Sequence, residues 1–231
     1  MCIRDSYIMK LTQKTFSILK NFSSINQSLY VIEGNVLRTM SEMKSVMAEA
    51  EIQEMFPQSF GIYELNQFLE VLSLFEEPDL DFDSSYVSIK GVQSASSNYF
   101  YADKATIRTM PPEKSFVLPD VIESFLISDS VIKGVMQAAN VLQLPEIAIV
   151  GNGENITIEA INNKNSTSNS FHYEIGKTSK TFKMIFKVEN IKMMVGSYEV
   201  SISSKKITQF KSVDNNLTYT IVNEAASVYE G

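Results

Sequence analysis

Five carboxylates fall within eight residues at Glu76-Glu77-Pro78-Asp79-Leu80-Asp81-Phe82-Asp83, a density that could gather a divalent cation. Calcium loops place oxygen ligands at fixed offsets around a central glycine. This run has neither the offsets nor the glycine, so it reads as a solvated acidic turn. Gly176-Lys177-Thr178 has the ending of a phosphate-binding loop. That loop needs an earlier glycine so that backbone N–H groups can approach a phosphate. The residue at that place is Phe171, and the segment reads as a hairpin turn. His172, in Ser-Phe-His-Tyr-Glu, is the only histidine. A single imidazole in an alternating run is a surface or packing residue rather than a base. Cys2 is the only cysteine, which removes a disulfide framework and a thiolate metal site. The Asn155-Ile156-Thr157 acceptor pattern carries little meaning without a secretory signal. No catalytic constellation, metal or cofactor is expected, and the chemistry that remains is lysine against phosphate.

The elements that would carry those lysines follow from periodicity. Residues 12–25 predict a helix with Thr12 as N-cap. At about 100° per residue, Phe16, Ile18, Leu19, Phe22 and Ile25 share one arc. Gln13, Lys14, Ser17, Lys20, Asn21 and Ser24 share the other, with two cations and no acid. Residues 63–73 predict a second helix, with Leu65, Phe68, Leu69 and Leu72 inward. Its polar face holds Asn66, Gln67, Glu70 and Ser73. A third covers 128–142, capped by Ser128 or Asp129, with Lys133, Gln137 and Asn140 outward. A short fourth is expected at Val188–Val195, ended by Gly196. Between the helices the pattern alternates as strands do. Residues 28–58 are broken by a turn at Glu33-Gly34-Asn35. Further strands are expected at 80–82, 86–90, 98–101, 105–108, 146–150, 156–161, 171–175, 181–187, 198–203, 207–210 and 217–222. Gly151-Asn152-Gly153-Glu154 predicts a hairpin turn.

The two halves, of about 105 residues each, repeat this order. Ile62-Tyr63-Glu64-Leu65-Asn66-Gln67-Phe68 aligns with Ile185-Phe186-Lys187-Val188-Glu189-Asn190-Ile191, a strand running into a short helix in each. Two prolines in Met110-Pro111-Pro112-Glu113-Lys114 mark the boundary, since they remove donors and favour extended chain. The expected organisation is an α+β chain with a first domain at 9–110, a connector at 111–119 and a second domain at 120–231. Residues 1–8 read as a leader foreign to the fold, with Met9 as a second start. The alternative is an extension of the first strand. At 231 residues the chain suits one large or two modest domains. With 44% hydrophobic residues it can bury a core. It has no apolar run of about 20 residues to span a membrane. A net charge of −7 argues against coating nucleic acid over the whole surface, but leaves room for a local basic face.

Lys10-Leu11-Thr12 and Ile18-Leu19-Lys20-Asn21-Phe22-Ser23-Ser24-Ile25-Asn26 resemble the opening of the sliding clamps of T-even-type bacteriophages. Ile62-Tyr63-Glu64-Leu65-Asn66-Gln67-Phe68-Leu69, with Leu72-Ser73-Leu74 after it, fits the same family. So do Val141-Leu142-Gln143-Leu144-Pro145-Glu146-Ile147-Ala148-Ile149 and Ile191-Lys192-Met193-Met194 before Gly196-Ser197-Tyr198. The resemblance runs from Met9 to Ala226. It implies the DNA clamp fold: two similar domains, each with antiparallel sheets outside and two helices inside, assembling as a ring. It implies a homotrimer that encircles duplex DNA without reading sequence and tethers the replicative DNA polymerase for processivity. It further implies an ATP-dependent clamp loader, a role with late transcription factors, and the cytoplasm of an infected bacterial host. It implies no enzyme activity and no cofactor.

The residues agree with that physics. A topological tether needs an inner wall that tolerates phosphates without gripping bases. Lys14 and Lys20, Lys133, and Lys192 on the fourth helix are the expected DNA-facing residues. Glu70 on the second helix, and Gln137 and Asn140 on the third, depart from the more basic faces of the family. Lys104, Arg108 or Lys114 in loops could compensate. Clamp partners insert an apolar tail beneath the connector, which here offers Met110, Pro111, Phe116 and Leu118. Phe116 to Leu118 reads slightly better as a core strand. The rival function is a β-rich phage tail or baseplate protein. It shares the acidic, duplicated character, but gives no reason to hold cations on helix faces and acids elsewhere.

Overall fold

The computed structural model describes residues 8–92, 94–165 and 167–230. The chain divides into two compact units, one ending at Glu113 and one starting at Lys114. Residues 1–7 of the expected leader lie outside the described residues, whereas Ile8 opens the first strand.

In the first unit, β1 (Ile8–Met9) leads into α1 (Gln13–Ile25), then β2 (Leu29–Val31), β3 (Gly34–Met40), β4 (Val46–Phe56), β5 (Phe60–Ile62), α2 (Leu65–Ser73), β6 (Asp79–Phe82), β7 (Tyr86–Lys90) and β8 (Ser96–Phe100). One sheet runs β1-β6-β7-β8, β2 pairs with β5, and β3 with β4, all antiparallel. Gly34, at the turn between β2 and β3, has φ of 120°, a conformation open to glycine. Strand β4 alternates strictly, with Val46, Ala48, Ala50, Ile52, Glu54 and Phe56 buried. The helix α1 lays Ile18, Leu19, Phe22 and Ile25 against α2, β3 and β4. Leu65, Phe68, Leu69 and Leu72 of α2 complete that core. Burying such a side chain contributes about 1.5–3 kcal/mol, so the apolar stripe fixes which face of α1 is left to solvent.

The second unit holds β9 (Val121–Ile127), α3 (Asp129–Val141), β10 (Glu146–Asn152), β11 (Asn155–Ile161), β12 (Phe171–Lys177), β13 (Thr181–Lys187), β14 (Tyr198–Ser203), β15 (Ile207–Ser212), β16 (Leu217–Val222) and β17 (Val228–Tyr229). One sheet runs β12-β11-β10-β13-β17, and α3 packs on β10, β11 and β12. Strands β9, β14, β15 and β16 lie side by side in the other. Gly153, with φ of 84°, and Glu154 form the two-residue turn between β10 and β11.

Four expectations need correction, and one strand lay outside them. The fourth helix is only a 3-10 turn at Val188–Asn190, so among the described residues this unit has one α-helix and not two. Backbone groups that a helix would pair internally are taken elsewhere: Met194 N–H donates to the Tyr219 hydroxyl, the Tyr198 hydroxyl donates to Met194 O, and Gly196 N–H donates to Asp129 Oδ1. β-Branched Val188, Ile191 and Val195 add little helix propensity to oppose this. Residues 105–108 are not a strand. Asp103 caps the Ala105 N–H at 2.8 Å and starts a 3-10 turn at Lys104–Thr106. Gly176-Lys177-Thr178 is not a hairpin turn. Strands β12 and β13 flank the β11–β10 pair, and residues 178–180 cross over its tip, where Gly153 N–H reaches Lys180 O and Thr178 N–H reaches Glu154 O. Phe116 to Leu118 is not a core strand; Val117 is 83% exposed, and prolines at 111, 112 and 119 break any ladder. Finally, β9 went unpredicted, because its exposed Val121 and Leu126 blur the alternation.

Candidate nucleic-acid interface

Both ends of α1 are fastened by buried polar side chains, Glu54 of β4 at one end and the helix's own C-cap, Asn26, at the other. At the N-terminus, Glu54 of β4 accepts from the Thr12 N–H and, at 2.6 Å, from the Thr15 hydroxyl. Thr12 Oγ1 accepts from the Thr15 N–H at 3.2 Å, closing the cap. Burial alone would raise the Glu54 pKa, but these hydrogen bonds outweigh it and hold the carboxyl below its ordinary value. At the C-terminus, buried Asn26 donates to Met40 O at 2.8 Å and accepts from Ser28 N–H at 3.0 Å. A helix held at both ends presents a fixed outer face.

That face is Gln13, Lys14, Ser17, Lys20, Asn21 and Ser24. By helical geometry, Ser17 and Ser24 lie at its centre, with Lys14 and Lys20 about 60° to either side and about 9 Å apart along the axis. The Ser17 hydroxyl donates to Gln13 O at 2.8 Å, and that of Ser24 to Asn21 O at 2.6 Å. Lys14 and Lys20 are exposed, and no carboxylate among the described residues pairs with either. The outer face of α2 has exposed Asn66, Gln67 and Glu70 and no cation.

Helix α3 is different. Lys133 lies at the middle of its polar face, but its ammonium sits 2.5 Å from Asp129 Oδ2, one turn earlier. Lys192 is half-buried on the non-helical stretch after the 3-10 turn, not on a helix. Asp129 joins these two segments, since its other oxygen accepts the Gly196 N–H at 3.0 Å. Of the loop cations, Lys104 lies over the Tyr30 ring at 5.0 Å, and Arg108 is 4.0 Å from Glu42. Met110, Pro111, Phe116 and Leu118 are half-buried on chain with no regular structure. A groove of about 200 Å³ between the start of α1 and the end of α2, lined by Leu11, Phe16, Leu72, Phe75 and Leu80, contains none of the predicted residues. The acidic run holds no metal-type cluster among the described residues. Its Asp79 and Asp81 belong to β6, and Asp81 pairs with Lys90 at 2.7 Å.

The family description "DNA polymerase processivity factor" matches residues 10–109. The sliding clamp of Vibrio phage KVP40 is 28% identical over 222 residues, covering 94% of this chain and all of that protein. That of Escherichia phage RB69 is 28% identical over 231 residues, covering 96% and all. The chain is similar to phage sliding clamps along nearly its whole length. This likeness favours the clamp reading over the tail or baseplate one. Solved structures agree on the clamp fold. PCNA from Thermococcus kodakaraensis superposes with a TM-score of 0.68 at 13% identity, covering 95% of this chain and 99% of that one. A Helicobacter pylori beta clamp bound to a DNA ligase peptide gives 0.72 at 11%, covering 97% and 68%. Clamps of this family are processivity factors and not catalysts, and among the described residues no helix is long and apolar enough to cross a membrane.

Sequence reasoning found the lysine faces of α1 and α3. It missed Glu54, the carboxylate that seats α1. The signal was there: a lone acid at an inward position of an otherwise apolar alternation in β4.

Proposed function

We propose that the chain closes as a homotrimeric ring around duplex DNA and tethers the replicative polymerase. The observation that carries this reading is the outer face of α1, which holds two uncompensated lysines in a chain of net charge −7. A few cations in an acidic ring draw the phosphate backbone to one surface, while the rest of the protein repels it. Lys14 and Lys20 are the principal DNA-facing residues in this reading, with Lys133 and Lys192 secondary.

Ring closure has candidate edges. Strands β8 and β12 each end a sheet and each present aromatic residues: Phe100 is 68% exposed and Tyr173 is 36% exposed. Pairing β8 of one copy with β12 of the next would satisfy two open ladders and propagate head to tail into a closed ring. Two domains per copy give six around the ring. Met110, Pro111, Phe116 and Leu118 are the proposed contacts for an apolar partner tail from the polymerase or from an ATP-dependent loader. The same surface would serve late transcription factors, all in the cytoplasm of an infected bacterial host.

The test couples light scattering to size exclusion and follows it with primer extension by the phage polymerase, with loader and ATP. A mass near three chains, with longer products per binding event, is expected. A stable monomer that leaves product length unchanged with loader present overturns the proposal.

A further inference from the structure

Asp129 makes three contacts at the start of α3. Its Oδ2 holds Lys133 at 2.5 Å, its Oδ1 accepts the Gly196 N–H at 3.0 Å, and its own N–H donates to the Ser197 hydroxyl at 3.2 Å. The carboxylate therefore binds the lysine at the centre of the α3 face and also closes the loop that carries Lys192. The predicted N-cap, Ser128, makes no side-chain cap bond, so the α3 start is seated by this contact with the 196–197 segment. The two inner-face helices thus differ in charge. Helix α1 presents two uncompensated cations, and α3 presents a lysine cancelled by an acid one turn away.

We infer that Asp129 sets both the charge and the geometry of the second unit's DNA-facing surface: it neutralises Lys133 and pins the Lys192 loop, leaving α1 to supply the attraction for DNA. This rests on the clamp reading above. Asp129 is a positioning residue and touches no phosphate itself. The arrangement has a physical use. A ring that held DNA by cations on every helix would bind tightly and move slowly, because each phosphate contact adds to affinity and to its salt dependence. Cancelling one cation per copy by a neighbouring carboxylate lowers the grip without losing the lysine's bulk or its solubility.

The test is Asp129→Asn. Asparagine keeps an Oδ1 acceptor for the Gly196 N–H and removes the charge that holds Lys133. The readout is anisotropy of a fluorescein-labelled duplex, titrated with the full-length protein over a salt series. Each further phosphate neutralised by a lysine steepens the log–log salt dependence by about 0.9. If Lys133 neutralises one phosphate once freed, lowering salt from about 200 to about 50 mM should raise the affinity of Asp129→Asn about 3.5-fold more than that of the parent. Lys133→Ala alone should leave the parent slope unchanged, and added to Asp129→Asn it should abolish the steepening. Circular dichroism melts confirm that each variant is folded. A slope unchanged in a folded Asp129→Asn overturns the inference, as does a slope lowered by Lys133→Ala in the parent. The pair Lys14→Ala and Lys20→Ala separates this from failure of the clamp reading. If these flatten the slope while Asp129→Asn does nothing, only the inference fails. If they change nothing either, the assignment of the helix faces to DNA fails with it.

Discussion

Glu54 is the only inward residue of β4 that is not apolar, and its carboxylate ties α1 to the sheet. Replacing it with glutamine keeps the shape but weakens two charge-assisted hydrogen bonds. Glu54→Gln should cost about 1–3 kcal/mol at neutral pH, measured by urea unfolding. The pH dependence has a definite sign. The folded-state pKa lies below the ordinary 4.5, so the stabilisation is present above that value and is lost as pH falls through the lowered one. The gap between parent and variant should therefore close in acid; a gap that stays constant below pH of about 4 contradicts the role given to the carboxylate. At this scale the sequence was readable where partners are close. Thr12 as N-cap could be seen directly. The Glu54–Thr15 bond spans 39 residues, and nothing local in either segment names the other. The tyrosine hydroxyls at 198 and 219, which hold the chain around Met194, are hidden for the same reason.

Helices α1 and α3 were legible because each carries a long apolar stripe, reinforced in α1 by the Thr12 cap. The stretch after Val188 has the stripe but loses its backbone donors and acceptors to Tyr198, Tyr219 and Asp129, a competition no periodicity records. The 178–180 crossover was misread because sequence proximity of β12 and β13 suggests pairing, while the sheet order inserts β11 and β10 between them. That crossover makes a prediction. A Cβ on Gly151 would lie 2.5 Å from the buried Phe182 ring and 2.9 Å from Lys180 O, where the crossing chain passes. Gly151→Ala should destabilise the unit by about 1–3 kcal/mol, through overpacking. Gly176→Ala, whose Cβ would meet its nearest atom at 3.9 Å, is the control and should be tolerated. Thermal melts of the two variants check the difference; equal melting points would mean that the crossover does not press on β10.

For the whole molecule, the repeat was visible as order rather than identity: a helix on a sheet, twice. The exception is the second short helix of the second half. In the proposed ring, assembly follows from the edges. Phe100→Lys or Tyr173→Lys, each placing a charge on a strand that ends a sheet, should lower the mass seen by light scattering toward one chain, with little change in the far-ultraviolet spectrum. A trimer unaffected by both would move the subunit contact away from β8 and β12. The serines of α1 bear on a different property. Ser17 and Ser24 spend their hydroxyl hydrogens on carbonyls of their own helix, at the centre of the face flanked by Lys14 and Lys20. If this face meets DNA as proposed, a passing phosphate would find no serine hydroxyl hydrogen at that centre to catch on, only two ammonium groups to either side. The inner wall would then act as a bearing with low friction, and the rate of one-dimensional diffusion along the duplex would be limited by how fast two lysines exchange one phosphate for the next.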